Sequence, residues 1–206
     1  VGTDGYAVLN AEDPLVSAMA QKVRGKVAYF SLTKDNPIIK EHLLSGGTAA
    51  IYDQGNLSIY QGDTQYVIDS AINVPVTING MAPFMIANAL AACLAAYVQG
   101  VDIATIKMGV NSFKLSEEQT PGRMNLFDMG SYNILLDYAH NPAGYEAVGG
   151  FVQNWSSGER IGIVGGPGDR RDEDLIELGK LSATMFNKII VKEDLDRRGR
   201  EIGEVA

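Results

Sequence analysis

The chain has 206 residues, 46% of them apolar and 20% charged, with a formal net charge of −8. That is enough for one large domain or two small ones, each burying its own core. The acidic balance argues against a general nucleic-acid surface, which needs a basic face, and no apolar run reaches the roughly 20 residues that cross a bilayer.

The opening "VGTDGYAVLN" has neither an initiator Met nor a basic signal-peptide start. "YAVLN" (Tyr6–Asn10) is expected as a buried strand, and Pro14 starts a helix running to about Val23. "VAYFSL" (Val27–Leu32) is a second strand. Asn36 caps a helix that begins at Pro37 and stops at Gly46-Gly47; His42 lies on it as a solvated or capping side chain. "TAAIYD", "LSIYQ" and "TQYVID" alternate and are separated by Gln54-Gly55-Asn56 and Gly62-Asp63, the pattern of hairpins.

After "VPVTING", the segment "APFMIANALAACLAAYVQG" predicts a mostly buried helix with Phe84, Ala87, Leu90, Ala91, Leu94, Ala95 and Val98 on one face. Cys93, the one cysteine, sits there among alanines and leucines as a small core residue. With no partner for a disulfide, a reducing, cytoplasmic compartment is expected. Asp102 caps a further helix, "DIATIKMGVNSF".

"KLSEEQTPGR" is polar and turn-rich and divides the chain into domains 1–118 and 119–206. Strands then alternate with helices: Asn125–Met129, Tyr132–Leu136, a helix Ala143–Trp155, Ile161–Val164, a helix Asp172–Phe186, and Lys188–Val191. That order predicts α/β architecture with a mainly parallel sheet in the second domain. "GREIGEVA" reads as a helix just begun, so a piece of a longer protein is expected.

In such a sheet, ligands gather beyond the carboxyl ends of the strands. Three loops leave those ends: "DYAHNP", "GGPGDRRDED" and "KEDLDRRGR". Asp137 suits ribose hydroxyls or a cation, or terminates its strand by bonding loop amides. His140 and Asn141 can face a base, while Asn141 equally suits a helix cap ahead of Pro142. Gly165–Asp174 could cradle an anion at a helix start, although Asp172, Glu173 and Asp174 already occupy the positive end of that dipole. Arg170 and Arg171 suit a carboxylate or phosphate, or pair with the neighbouring acids. No metal-ligand spacing, G-x-S-x-G or G-x-x-x-x-G-K-[ST] occurs.

Together "AVLNAEDPLV", "NALAA" (Asn88–Ala92), "PGRMN" (Pro121–Asn125) and "LLDYAHNP" resemble the Mur ligases, ATP-dependent enzymes that join an amino acid to a carboxylate. The resemblance spans essentially the whole chain. "GMAPFMIANALAA" departs from it, with Met85 where a second asparagine is expected. The resemblance implies the C-terminal portion of a central ATPase domain without its phosphate loop, followed by a small Rossmann-like domain. It assigns Asn88, Arg123, Asp137, His140 and Asn141 to the nucleotide. It places Glu193, Asp194 and Arg197 where the incoming amino acid binds, and Arg170, Arg171 and Asp172 are further substrate-binding candidates.

The expected chemistry is amide formation through an acyl phosphate, with ATP and Mg2+ held mostly by residues outside these 206. The loops 168–174 and 192–205 are most similar to the members that add arginine to aspartate side chains of a poly-aspartate acceptor. Those act as part of a larger cytoplasmic protein, expected to be a homo-oligomer, and the isolated piece is expected to be inactive. A peptidoglycan-type or folylpolyglutamate-type ligase, and a non-catalytic nucleotide-binding module, are the alternatives.

Overall fold

A computed structural model describes residues 1–155, 158–193 and 195–205. They form two compact units, Val1–Leu115 and Ser116–Ala206. No helix among the described residues is long and apolar enough to cross a membrane.

The first unit is built on five strands in the order β1 (Tyr6–Asn10), β2 (Lys26–Ser31), β3 (Thr48–Asp53), β4 (Asn56–Gln61) and β5 (Thr64–Ser70). The first three are parallel and the last two antiparallel. The direction changes where the linkers shorten. β3 and β4 are joined by Gln54 and Gly55, whose φ values of 49° and 83° are those a two-residue hairpin turn requires. Helices α1 (Pro14–Ala18) and α2 (Pro37–Leu44) form the longer crossovers. Their N-caps, Asp13 and Asn36, accept hydrogen bonds from the first free amides.

Side chains of the parallel strands are buried on both faces, as expected of a covered parallel sheet. Leu9, Tyr29, Ile39, Ala49, Ile51 and Tyr60 form one cluster with Val16 and Leu43 of the flanking helices. The alternate residues Ala28, Ala50 and Ile59 are also buried, and α3 (Pro83–Val98) packs across β1 to β4. The buried residues of α3 are Met85, Ile86, Ala89, Leu90, Cys93 and Leu94. The expected stripe therefore rotates: Leu90 and Leu94 belong to it, whereas Ala95 is exposed. A helix apolar on nearly every side does not fix its inner face by period alone. The first helix is also shorter than expected, passing into a 3-10 turn at Met19–Lys22. α4 (Ile103–Ser112) closes the unit, capped by Asp102.

In the second unit β6 (Asn125–Asp128) and β7 (Asn133–Leu136) form an antiparallel hairpin. After α5 (Pro142–Trp155), β8 (Ile161–Val164) pairs in parallel with β9 (Lys188–Val191) across α6 (Asp172–Met185). Among the described residues these are separate two-stranded sheets rather than the single mainly parallel sheet expected. The four-residue link between β6 and β7, turned by Gly130 at φ 80°, is too short for a parallel crossover. Between β7 and β8 lies a cleft of about 670 Å3, lined by Asn133, Leu135, Ile161, Ile163, Val152 and Trp155. Helices α5 and α6 pack together through Tyr145, Leu178 and Met185. The final segment is turned rather than helical, with Gly203 at φ 82°.

Candidate functional site

The loop that follows β7 is bound to the turn that precedes β6. Asn125, 2% exposed, holds that turn by accepting from the Gly122 amide at 2.7 Å and donating to the Thr120 and Arg123 carbonyls. The turn carries left-handed backbone at Gly122 (φ 68°) and at Met124 (φ 50°). Met124 is buried, and its amide donates to Oδ2 of Asp137 at 2.9 Å. The Tyr138 amide returns a bond to the Gly122 carbonyl at 2.7 Å. The arginine turn and the "DYAHNP" loop are therefore one laced structure.

This lacing brings Arg123 and Tyr138 together. The guanidinium lies over the Tyr138 ring, 5.0 Å from its centroid, a cation–π arrangement. The His140 ring stands 5.4 Å from the same ring, tilted by 45°, and its Nδ1 contacts the Tyr138 carbonyl oxygen at 3.1 Å. Asn141 accepts from the Gly144 amide at 2.8 Å, so it acts as a cap for α5. Asp137 thus bonds a neighbouring loop amide and Asn141 caps α5, the local one of the two readings that the sequence gives each residue.

The glycine loop before α6 is shaped by close packing. A Cβ added at Gly165, Gly166 or Gly168 would meet Lys192, Leu175 or Arg197 atoms at 2.4, 2.3 and 2.1 Å. Arg171 is engaged by Asp174 through two hydrogen bonds of 3.0 and 2.8 Å, holding that carboxyl below its usual range. Asp172 pairs with Arg200. Arg170 gives its carbonyl to the same arginine, while its own Nε is buried. Glu193 accepts from the amides of Gly203 and Val205. Arg197 bonds the Arg200 carbonyl through Nε. Asp194 lies outside the described residues. Asn88 belongs to the first unit, where it is exposed on α3 and donates to the Met85 sulfur at 3.7 Å.

No protein-family model matches the chain. A cyanophycin synthetase from Crocosphaera subtropica is 65% identical over 206 residues, which is 100% of this chain and 24% of that protein. One from Synechocystis is 61% identical over the same span and share. The chain resembles cyanophycin synthetase along its whole length. It spans about a quarter of the length of these relatives. A more distant likeness, 26% identity over 196 residues, is to the UDP-N-acetylmuramoyl-L-alanyl-D-glutamate--2,6-diaminopimelate ligase of Bacillus licheniformis, covering 95% of this chain and 37% of that one. In fold, the chain is similar to MurF from Acinetobacter baumannii, with a TM-score of 0.64 and 16% identity over 93% of this chain and 39% of that one. It is likewise similar to Escherichia coli FolC, crystallised with DHPP and ADP, with a TM-score of 0.61 and 15% identity over 91% and 38%.

With the likeness to cyanophycin synthetase established, two features stand out that sequence reasoning missed. Asn125, which the sequence places at a strand start and at the end of the "PGRMN" element without a role of its own, holds the arginine turn. Arg198 and Arg200 were not singled out, although both bond the glycine loop. The signal was present as charge complementarity, "DRRGR" facing "GDRRDED", but sequence distance hides which pairs meet. Among the described residues no three His, Cys, Asp or Glu side chains group to hold a metal ion.

Proposed function

We propose that this chain supplies the Asp137 half of a nucleotide site to an ATP-dependent amide ligase of the cyanophycin synthetase type. The reading rests on one observation above the others, the 65% identity sustained over all 206 residues. In this reading residues 1–118 are the C-terminal portion of a Mur-like central ATPase domain and 119–206 the closing domain. Asp137 bonds ribose hydroxyls through the carboxylate oxygen that the Met124 amide does not engage. Arg123, lying over Tyr138, offsets phosphate charge with a planar fork suited to oxyanions. His140 and Asn141 line the same pocket, and the family resemblance assigns Asn88 to the nucleotide as well.

The chemistry joins arginine to aspartate side chains of a poly-aspartate chain. ATP converts the carboxylate to an acyl phosphate, the arginine amine attacks its carbonyl, and phosphate leaves as the amide forms. Asp172, Glu193, Asp194 and Arg197, with Arg170 and Arg171, are the candidate substrate contacts, the acids suiting a guanidinium.

The test uses the longer protein that carries this chain, given ATP, a poly-aspartate primer and arginine. Phosphate release that requires both primer and arginine is expected, and Asp137→Ala should raise the KM for ATP about tenfold or more. Release that ignores arginine but follows another amino acid would move the assignment to a different Mur-type ligase. An unchanged KM in Asp137→Ala would remove the nucleotide role.

A further inference from the structure

The segment that leads into α3 runs through left-handed backbone. Ile78, Asn79 and Gly80 have φ values of 53°, 55° and 76°. The Met81 amide donates to the Ile78 carbonyl at 3.0 Å, which closes a four-residue turn around Asn79-Gly80. Positive φ at both central residues makes it a type I′ turn, the kind that Asn-Gly favours. Neighbouring bonds tie it down: the Ile78 amide donates to the Pro75 carbonyl at 3.1 Å and the Ala82 amide to the Thr77 carbonyl at 3.1 Å. Asn79 itself is exposed.

Asn-Gly is also a chemically labile pair, and the sequence contains it once. Glycine has no side chain to obstruct its own nitrogen, so the Gly80 nitrogen can attack Cγ of Asn79. The N–Cγ bond forms, the Gly80 amide proton passes to solvent, and the side-chain nitrogen takes up a proton and leaves as ammonia. Water then opens the succinimide at either carbonyl, giving aspartate or isoaspartate. Closing that five-membered ring requires the Gly80 nitrogen to eclipse Cβ of Asn79, at an Asn79 ψ of about −120°, the value of a type II′ turn. A type I′ turn holds the same residue at about +30°. The peptide plane between Asn79 and Gly80 must therefore turn over, a flip that leaves the closing Met81–Ile78 bond in place. The obstacle is the Gly80 amide, which donates to Oγ1 of Thr77 at 3.0 Å. Thr77 is fully buried, and its hydroxyl proton faces the Ala71 and Val74 carbonyls at 2.6 and 2.9 Å, so an oxygen lone pair is left for Gly80.

We propose that Asn79 is a latent deamidation site, kept closed by the buried Thr77 hydroxyl. The single bond from Gly80 to Thr77 fixes the peptide plane away from the attacking geometry and withholds the proton whose loss starts the reaction. Opening the site alters the fold next to it. Isoaspartate adds one carbon to the backbone of the turn that feeds Pro83, the first residue of α3, and either product adds a negative charge there.

The experiment incubates the 206-residue chain at mildly alkaline pH, folded or in guanidinium chloride, and follows the peptide containing Asn79 by mass spectrometry. Deamidation of Asn79 is expected to be about tenfold or more slower in the folded chain than in denaturant. Thr77→Val keeps the shape of the side chain but loses the hydroxyl, and should raise the folded-state rate about fivefold or more, the factor that one hydrogen bond commands. Thr77→Ser, which keeps the hydroxyl, should stay at the wild-type rate. Asn111, in the same unit and followed by a serine, is the control for general loosening. Hydrogen exchange at the Gly80 amide, read by NMR on the unaltered chain, needs no variant and should show protection. Equal Asn79 rates in the folded and denatured chain would overturn the proposal, as would exchange of the Gly80 amide at the rate of a free amide. So would a Thr77→Val rate that stays at the wild-type value, or one whose rise is matched at Asn111.

Discussion

Asp69 is nearly closed off from water at the end of β5, and donors converge on it: Asn73 at 2.9 Å, Asn111 at 2.7 Å, Lys107 at 3.1 Å and the Ser70 amide at 2.8 Å. The Asn73 bond first, then that from Asn111, holds its carboxyl well below the usual range despite burial. This one side chain ties β5 to α4. Asp69→Ala should destabilise the first unit by about 2–3 kcal/mol, since the donors it leaves are partly buried; chemical denaturation measures it. Because the folded-state pKa is depressed, its stabilisation is complete above the ordinary aspartate range and disappears as pH falls through the folded value.

His42 departs from its expected solvated or capping role. Its ring is edge-on to Tyr29, 5.0 Å between centroids, and Nε2 contacts the Thr48 carbonyl oxygen at 3.2 Å. Gly47 makes the room, since a Cβ there would lie 2.4 Å from the ring. Burial lowers the His42 pKa, opposed by the Thr48 bond. An unfolded chain binds that proton more readily, so the first unit should lose stability as pH falls from about 6.5 toward the folded value. Melting temperatures between pH 7.5 and 5.5 test this: His42→Gln should flatten the slope, and an unaltered slope would count against it. Such a role was illegible because the burial comes from Tyr29, thirteen positions away.

At the scale of single elements, adjacent glycines in α5 should respond with opposite signs. A Cβ at Gly149 would lie 2.4 Å from the end of Met185 on α6, whereas one at Gly150 meets nothing within 4 Å. Gly150→Ala should stabilise the second unit by about 0.5–1 kcal/mol through helix propensity. Gly149→Val should destabilise it by about 1–3 kcal/mol by overpacking α5 against α6. Thermal unfolding of the two variants provides the comparison, and equal signs would mean the helices do not approach as described. The elements themselves were largely legible, because caps and turns act locally: Pro14, Asn36 and Asp102 mark helix starts, and Gln54-Gly55 marks a hairpin. The inner face of α3 was not, nor was the separation of β6–β7 from β8–β9, since strand pairing depends on residues far apart in sequence.

For the whole molecule, protection against hydrogen exchange should be unequal. Ala49, Ala50, Ile51, Leu57 and Ile59 in the central hairpin of the first unit are fully buried. In the second unit Ile161, Ile163, Ile190 and Val191 keep half or more of their surface exposed. Amides of β3 and β4 should therefore exchange about a hundredfold or more slowly than those of β8 and β9; mass spectrometry after deuterium labelling resolves them, and equal rates would contradict it. At this scale the candidate site was legible in part. Asp137 and Arg123 announce themselves as charges next to a strand and a turn. The lacing by Asn125 and Met124 emerges only when the chain doubles back.

The cleft beside β7 carries a practical consequence. Trp155, the one tryptophan in the sequence, lines it and stacks on Phe151 with centroids 5.6 Å apart. All indole emission therefore originates in the C-terminal unit, at the rim of two strand borders. Whatever settles between those borders changes the polarity seen by the fluorophore, so the molecule needs no added dye to register its arrival.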